Sequence, residues 1–185
     1  MMGLSLTTKW MSNSLIWRSS SHILYLGDNA GEIVFDRILI EELRQIKELD
    51  IHFVVRESPI INDATMDDAI STGMDKVARV VSNGSDAPAT ILSQCHPQML
   101  SLYHSADIVI AKGQGNYESL AGEKGNIFFF LKAKCPVIAS LLGANVGDAI
   151  LKRHRPDCNP QKRGIKCKEN TTIARKRSDE KEARS

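Results

Sequence analysis

Short apolar runs rich in β-branched residues alternate with segments of helical spacing along the chain. The runs predict five strands, at residues 22–26, 51–55, 77–81, 107–111 and 136–140. Because helical segments separate them, right-handed crossovers would connect the strands and make the sheet mostly parallel. The pattern therefore predicts an α/β fold of three layers, with a mostly parallel sheet of about five strands and helices on both faces.

Four segments between and beside these runs have helical character. Apolar residues recur every three or four positions over residues 32–49, and a shorter helix is predicted at residues 65–72. A helix over residues 90–105 is expected to kink or divide at Pro97, because proline has no amide hydrogen to donate. Residues 118–134 predict a short helix, a glycine-rich break and an apolar helix.

Charge divides the chain into an acidic body and a basic tail. Residues 1–151 carry 12 basic and 17 acidic residues, a net charge of −5, whereas residues 152–185 carry 12 basic and 5 acidic residues, a net charge of +7. A tail with few large apolar side chains cannot bury enough surface to offset its ordering entropy. We therefore expect a poorly ordered, serine-rich leader at 1–21, one domain at 22–153 and a basic disordered tail at 154–185.

Several classes of protein are disfavoured by what the sequence lacks. No apolar run approaches the ~20 residues of a membrane-spanning helix, so no membrane is expected. Four cysteines without metal-type or redox-type spacing favour a reducing, cytoplasmic location. The chain has no P-loop, and the turn after the first strand lacks a dinucleotide fingerprint. The basic tail has no interleaved aromatic residues for base stacking, so nucleic acid is not an expected partner.

Polar and charged residues follow the predicted strands. Asp28 and Asn29 come after the first strand, Asp63 follows the second, and Lys112 begins a glycine-containing segment after the fourth. Because ligands bind beyond the carboxyl ends of parallel strands, these residues are expected to share one edge of the sheet. Carboxylate and amide oxygens are ligands for Mg²⁺ and similar cations. Lysines, here Lys112 and Lys132, and exposed backbone amides suit a phosphate group.

Helix capping is the alternative for the same acidic and amide residues. Asp28 and Asn29 precede a predicted helix, and so does Asp63. Side chains of this type commonly accept a hydrogen bond from the first turn of a helix. Their joint placement at strand ends favours a site, but the sequence leaves both interpretations open.

Four segments of the body resemble, in order, the motifs of the damage-control phosphatase family, once called domain of unknown function 89. They are LGDNAGEIVFD at 26–36, VRESPIINDAT at 55–65, ADIVIAKGQGNYE at 106–118 and FLKAKCPVIA at 130–139. The similarity covers roughly residues 22–153. One such motif is weak, but four in order are specific to the family.

The resemblance implies a metal-dependent phosphatase that hydrolyses small, phosphosugar-like metabolites. It implies Asp28, Asn29 and Asp63 as ligands of a divalent cation (Mg, Mn, Co or Ni), and it leaves the attacking nucleophile open, either a metal-activated water or a carboxylate. Asp28, Asp63 and Lys132 would be the catalytic residues. The residues implied to bind the substrate are Glu32, Lys112, Gln114, Gly115, Asn116 and Tyr117.

One departure from the family motivates a second hypothesis. Members usually carry a helical region before the first strand, which packs over the site, whereas the 21 residues that precede His22 do not resemble it. Under this second hypothesis, the chain is a truncated, non-catalytic module that binds metal and phosphometabolites. The apolar surface that such a region would cover also predicts self-association.

Overall fold

A seven-stranded sheet with helices on both faces organises the chain in the computed structural model, which describes residues 15–154 and 171–174. The strands are β1 (His22–Leu26), β2 (Asp50–Val55), β3 (Arg79–Ser82), β4 (Ile108–Lys112), β5 (Ile127–Lys132), β6 (Ala149–Arg153) and β7 (Thr171–Ala174). The helices are α1 (Leu15–Ser19), α2 (Ile33–Ile46), α3 (Met66–Ser71), α4 (Pro97–Ser105), α5 (Gly113–Leu120) and α6 (Pro136–Leu142). Short 3-10 turns occupy Ala30–Glu32, Met74–Lys76 and Leu92–Gln94.

The strand order is β3-β2-β1-β4-β5-β6-β7. The first five strands along this order pair in parallel, and β6 and β7 add two antiparallel pairings at one edge. The α/β class and the mostly parallel sheet are confirmed. Within the described residues the sheet has seven strands, two more than the sequence pattern indicated.

The two faces of the sheet are buried against two separate apolar clusters. Ile23 and Tyr25 of β1 belong to the cluster that also contains the buried residues of α2, whereas Leu24 and Leu26 belong to the cluster beneath α4, α5 and α6. Strands that are covered on both faces read as continuous apolar runs, which explains the strength of the strand signal in the sequence.

The helices are short, and their ends follow local sequence signals. The longest helix in the described part of the chain, α2, has 14 residues. The expected break at Pro97 is present, because α4 begins at this proline, where a missing amide hydrogen costs nothing. None of the helices within residues 15–154 is long and apolar enough to cross a membrane.

The predicted order of helix and strand is wrong over residues 127–142. Residues 127–132 form β5 rather than an apolar helix, and Pro136 begins α6 rather than a fifth strand. Phe128 and Phe129 are both fully buried, one in each apolar cluster, and such a two-sided strand cannot be distinguished from a buried helix by periodicity. Pro136 at the first position and Gly143 in the left-handed cap are the helix signals that mark α6.

Both expected disordered segments contain some regular structure. In the leader, Leu15–Ser19 forms α1, and Trp17 packs in the apolar core. In the tail, Thr171–Ala174 pairs with β6 as β7. The remaining parts of the predicted leader and tail, 1–14, 155–170 and 175–185, lie outside the described residues.

Candidate functional site

The strand register brings the ends of β1, β2 and β4 to the same level. Leu26 is paired with Val54 on one side and with Ala111 on the other. Asp28 follows Leu26 by two residues and Gly113 follows Ala111 by two residues, so Asp28 and Gly113 lie at neighbouring positions just beyond the strand ends. The connection after β1 runs toward the β3 edge of the sheet, whereas the connection after β4 runs toward the β7 edge. The crevice between two strands whose connections diverge in this way is the usual ligand site of a parallel sheet.

Asp28 lies directly against Gly113, the first residue of α5. A Cβ atom built on Gly113 would come within 2.1 Å of Oδ2 of Asp28, so any larger residue at this position would force the Asp28 side chain to move. Gly113 also has a φ of 83°, a backbone conformation that L side chains rarely adopt. The glycine therefore allows a carboxylate to pack at the start of a helix, where the helix dipole favours negative charge.

Backbone pairing brings Asn29 and Asp63 together. The two residues form an isolated antiparallel bridge. Its flanking hydrogen bonds run from the amide of Ala30 to the carbonyl of Asn62 over 2.9 Å, and from the amide of Ala64 to the carbonyl of Asp28 over 2.8 Å. The β1 and β2 loops thus hold the three predicted metal-ligating residues beside one another.

The charges around Asp28 indicate that a cation would be stabilised there. Burial, followed by the carboxylates of Asp63 and Glu32, raises the pKa of Asp28 to about 6, and the cations Lys134 and Arg56 offset this only in part. A bound divalent cation would relieve the repulsion between these carboxylates. The local electrostatics therefore fit the divalent cation that the resemblance implies.

Helix capping does not account for the acidic and amide side chains of the site. Asn29 precedes a 3-10 turn, but its side chain makes no capping hydrogen bond. The cap of α3 is Thr65, which forms a capping box with Asp68, so Asp63 is not needed there. The side chains of Asn29 and Asp63 are therefore not committed to capping a helix.

The donor set at the site is small. Among residues 15–154 and 171–174, no group of three His, Cys, Asp or Glu side chains forms a ready-made metal site. The carboxylates of Asp28 and Asp63 and the side-chain amide oxygen of Asn29 provide three oxygen ligands. Mg²⁺-type cations usually keep water or substrate oxygens beside one or two carboxylates, and a small set leaves room for them.

Lys112 is a buried partner of two acids. Its Nζ donates to Oε2 of Glu32 over 2.8 Å and to Oδ1 of Asp36 over 2.5 Å, and Asp36 also accepts a 2.7 Å hydrogen bond from Tyr25. Burial lowers the pKa of Lys112, but the two ion pairs outweigh it and raise that pKa above its ordinary value. The ammonium group is thus occupied by Glu32 and Asp36, and a role in supporting the site fits better than direct phosphate binding.

Two of the predicted substrate residues direct their side chains into the protein. Asn116 is fully buried, and its amide accepts from the Thr90 backbone over 2.8 Å and donates to the carbonyl of Lys112 over 2.7 Å. Tyr117 is buried against Phe129, with ring centroids 5.0 Å apart. These side chains hold α5 in place, so their contribution to a substrate is indirect.

The segment that includes Gln114 and Gly115 is the first turn of α5 rather than a loop. Gln114 is partly buried, donates to Glu118 over 2.8 Å and accepts from the amide of Lys134 over 3.1 Å. At Gly115 an added Cβ would lie 3.1 Å from Cβ of Ala89. This turn begins beside Asp28, and its backbone amides form the kind of helix start that binds anions.

Lys132 ends β5 and is exposed. Its ammonium group makes no ion pair or hydrogen bond with another residue of the described chain, and Lys134 and Arg56 instead supply the positive charge that acts on Asp28. The structure therefore brings together Asp28, Asn29 and Asp63 beside the start of α5, and it leaves Lys132 at the margin of this group.

A buried arginine beside the site was given no role by the sequence patterns. Arg56 is 3% exposed, and its Nε lies 2.7 Å from Oδ2 of Asp63. Its signals in the sequence were its position directly after a predicted strand and its place in the segment 55–65 that resembles a family motif. Its burial and its partners depend on tertiary contacts that no local pattern reveals.

Comparisons with known proteins identify relatives of this chain. The family model for the damage-control phosphatase ARMT1-like domain matches residues 7–150. An uncharacterized protein of Methanocaldococcus jannaschii is 45% identical over 75% of this chain and 47% of its own length. A damage-control phosphatase of Pyrococcus horikoshii is 39% identical over 75% of this chain and 48% of its own length, and one of Archaeoglobus fulgidus is 41% identical over 72% and 47%.

A solved structure shares the fold. The crystal structure of a DUF89 family protein from Pyrococcus horikoshii superposes with a TM-score of 0.73 and 36% sequence identity. The match covers 82% of this chain and 51% of that chain. The chain thus spans about half the length of the relatives it matches.

Proposed function

Since the chain belongs to the damage-control phosphatase ARMT1-like family, we propose that it is a metal-dependent phosphatase that hydrolyses small phosphorylated metabolites of the phosphosugar type. Support comes above all from the pairing of Asn29 with Asp63 beside Asp28, at the reversal of strand order. Relatives named damage-control phosphatase, from two archaea, support a phosphatase role.

Each residue of the site has a role in the proposed reaction. Asp28, Asn29 and Asp63 hold the divalent cation (Mg, Mn, Co or Ni) through their oxygen atoms. When bound, this cation polarises the phosphoryl group and stabilises the charge that develops on its oxygens. The backbone amides at the start of α5 and the ammonium of Lys132 bind the remaining phosphate oxygens. Lys112 positions Glu32, through their 2.8 Å ion pair, to contact the substrate.

The direct test is a phosphatase screen on a panel of phosphosugars, with each of the four metals and with a chelator. We expect phosphate release by the wild-type protein, loss of release with the chelator, and loss in Asp28→Ala. Asp75→Ala is the matched control, because Asp75 is an exposed acid in the 3-10 turn before β3, at the opposite edge of the sheet. Release that survives both the chelator and Asp28→Ala would overturn the metal assignment.

A module that binds metal and phosphometabolites without turnover is the second candidate function. It is favoured by the openness of the surroundings, since Phe35 and Ile61, which lie on the segments flanking the site, are 65% and 85% exposed. Closure of an active site strengthens the electrostatic interactions inside it, and an open site lacks this contribution to catalysis. Calorimetric binding of metal and inorganic phosphate, combined with no release from any substrate, would select this candidate.

A further inference from the structure

Arg56 is a buried cation that joins two loops. Its Nε donates to Oδ2 of Asp63 over 2.7 Å, in the loop after β2. Its Nη1 donates to Oγ1 of Thr90 over 3.2 Å, in the segment between β3 and α4. Both Arg56 and Thr90 are buried, and the side chain of Asp63 is 10% exposed. One guanidinium group therefore links the proposed metal ligand Asp63 to a second chain segment.

Each linked segment contains a strained residue close to the partner of Arg56, either two residues before Asp63 or directly before Thr90. Ile61 has a φ of 51° and Ala89 a φ of 75°, and both lie in the left-handed region that non-glycine residues rarely adopt. A β-branched residue is especially disfavoured there. Such conformations persist only where surrounding contacts hold them, and they gather at functional sites. The hydrogen bonds of Arg56 are contacts of this kind for both segments.

The link continues from Thr90 to the start of α5. The backbone amide of Thr90 donates to Oδ1 of Asn116 over 2.8 Å. The side-chain amide of Asn116 then donates to the carbonyl of Lys112 over 2.7 Å and to that of Gly27 over 3.3 Å. A buried chain of hydrogen bonds thus runs from Asp63 through Arg56 to the ends of β1 and β4.

The arrangement is a poor one for stability alone. Nη2 of Arg56 is buried and has no hydrogen-bond partner among the described residues. A buried donor without a partner is unfavourable, and apolar residues often replace buried ion pairs without loss of stability. Oδ1 of Asp63 also accepts no hydrogen bond from the described residues, so the guanidinium engages one carboxylate oxygen and leaves the other for a ligand.

We propose that Arg56 is a positioning residue, which orients Asp63 for the cation and couples it through Thr90 and Asn116 to the first turn of α5. The inference rests on the proposed function, because it takes Asp63 as a metal ligand. The role requires an arginine, since two donors in one planar group serve two acceptors at once, whereas a lysine ammonium is a single flexible point charge. Disturbing either end of this chain of hydrogen bonds is therefore expected to change both metal binding and phosphate binding.

Calorimetric titration with Mn²⁺ alone, and then with inorganic phosphate, tests this role on the full chain. Thr90→Val removes one acceptor at constant shape, and we expect it to weaken Mn²⁺ binding roughly 2- to 13-fold, the equivalent of one hydrogen bond. Arg56→Lys keeps one hydrogen-bond donor for Asp63 and should weaken Mn²⁺ binding by a similar factor. Arg56→Met should weaken Mn²⁺ binding about 10- to 100-fold, as expected on loss of a group that orients a ligand. Thr72→Val is the matched control, because the Thr72 hydroxyl bonds only within its own helix end.

The double variant Arg56→Lys/Thr90→Val separates coupling from general damage. If the two residues act through one link, the double variant binds Mn²⁺ about as weakly as either single variant. Additive losses, or Mn²⁺ affinity unchanged in both single variants while Asp63→Asn abolishes binding, would refute the role of Arg56 and leave the proposed function intact.

Hydrogen exchange of the metal-free protein keeps the inference testable even if the wild type binds no Mn²⁺. That result would defeat the proposed function on its own. Arg56→Lys and Thr90→Val should still speed amide exchange in both linked segments, residues 60–64 and 87–91, because each variant cuts the bridge between them. Exchange that accelerates in only one segment, or as much in Thr72→Val, would count against Arg56 as the link.

Discussion

The carboxylate of Asp28 lies against the backbone of Gly113, in the crevice between the ends of β1 and β4. A side chain at position 113 would begin 2.1 Å from Oδ2 of Asp28. The proposed metal ligand and the start of the proposed phosphate-binding helix are therefore in direct contact. Because they come from distant parts of the chain, the site depends on the parallel pairing of β1 with β4.

Gly113→Ala is expected to damage both the site and the fold. The φ of 83° and the contact with Asp28 oppose any Cβ, so we expect a loss of more than about 1 kcal/mol in the free energy of unfolding, together with weakened Mn²⁺ binding. Urea denaturation and calorimetry measure the two effects. Gly122→Ala is the control, because a Cβ there meets no atom within 4 Å. Equal behaviour of the two variants would contradict the close packing.

The pKa of Asp28 predicts how stability depends on pH without metal. The pKa is about 6 in the folded protein, above the ordinary 3.8, so the folded state binds the proton more tightly than the unfolded state. Stability from this group is present below pH ~4 and is lost as the pH rises through ~6. Asp28→Asn should therefore raise the free energy of unfolding near pH 7 by on the order of 1 kcal/mol, allowing for partial exposure, with little difference near pH 4.

Urea denaturation in chelator at the two pH values measures this difference. Asp75→Asn, an exposed acid far from the site, should change stability little at either pH. If Asp28→Asn is less stable than the wild type near pH 7, then neighbouring groups stabilise the ionised form of Asp28, contrary to this prediction.

Lys112 and Lys132 are expected to differ in what they contribute. Lys112→Met leaves the buried Asp36 without its cation and should cost about 3–5 kcal/mol of stability. Lys132 is exposed at the end of β5, so Lys132→Met should alter stability by less than about 0.5 kcal/mol and instead raise the KM for phosphorylated substrate. Thermal denaturation and steady-state kinetics separate the two effects. A normal KM in Lys132→Met would remove this lysine from the site.

The exposed apolar side chains at the start of α2 predict self-association. Val34, Phe35 and Ile38 are exposed near the site-proximal end of this helix, and Phe35 is 65% exposed. Contiguous apolar surface of this kind marks a contact surface. Sedimentation velocity should show concentration-dependent association that Phe35→Ser reduces. Ile46→Ser, at the far end of the same helix, is the control, and association that persists unchanged in Phe35→Ser would place the contact elsewhere.

The strand-end rule accounts for most of what the sequence could predict about the site. Four of the five predicted strands occur within a few residues of their expected positions, and the neighbouring placement of Asp28 and Gly113 follows from the order of β1 and β4. Local patterns suffice for these four strands because each short apolar run is bounded directly by polar residues, which mark where the strand ends. The same rule selected Asp63, whose loop returns to pair with Asn29.

The sequence failed where tertiary burial decides the outcome. A run such as β5, buried on both faces, carries no periodicity, and the misplaced helix and strand over residues 127–142 follow from that. Arg56 and Thr90 are joined across two loops, and no local pattern specifies that pairing. The inward side chains of Asn116 and Tyr117 likewise depend on how α5 packs against the sheet.

The most direct test is the effect of Mn²⁺ on the melting temperature of the wild type and of Asp28→Asn and Asp75→Asn. A ligand at about 100 times its Kd adds about 2.7 kcal/mol to the stability of a protein that binds it only when folded. We predict that Mn²⁺ raises the melting temperature of the wild type and of Asp75→Asn, and leaves that of Asp28→Asn unchanged. An equal rise in all three proteins, or no rise in any, would contradict a metal site at Asp28.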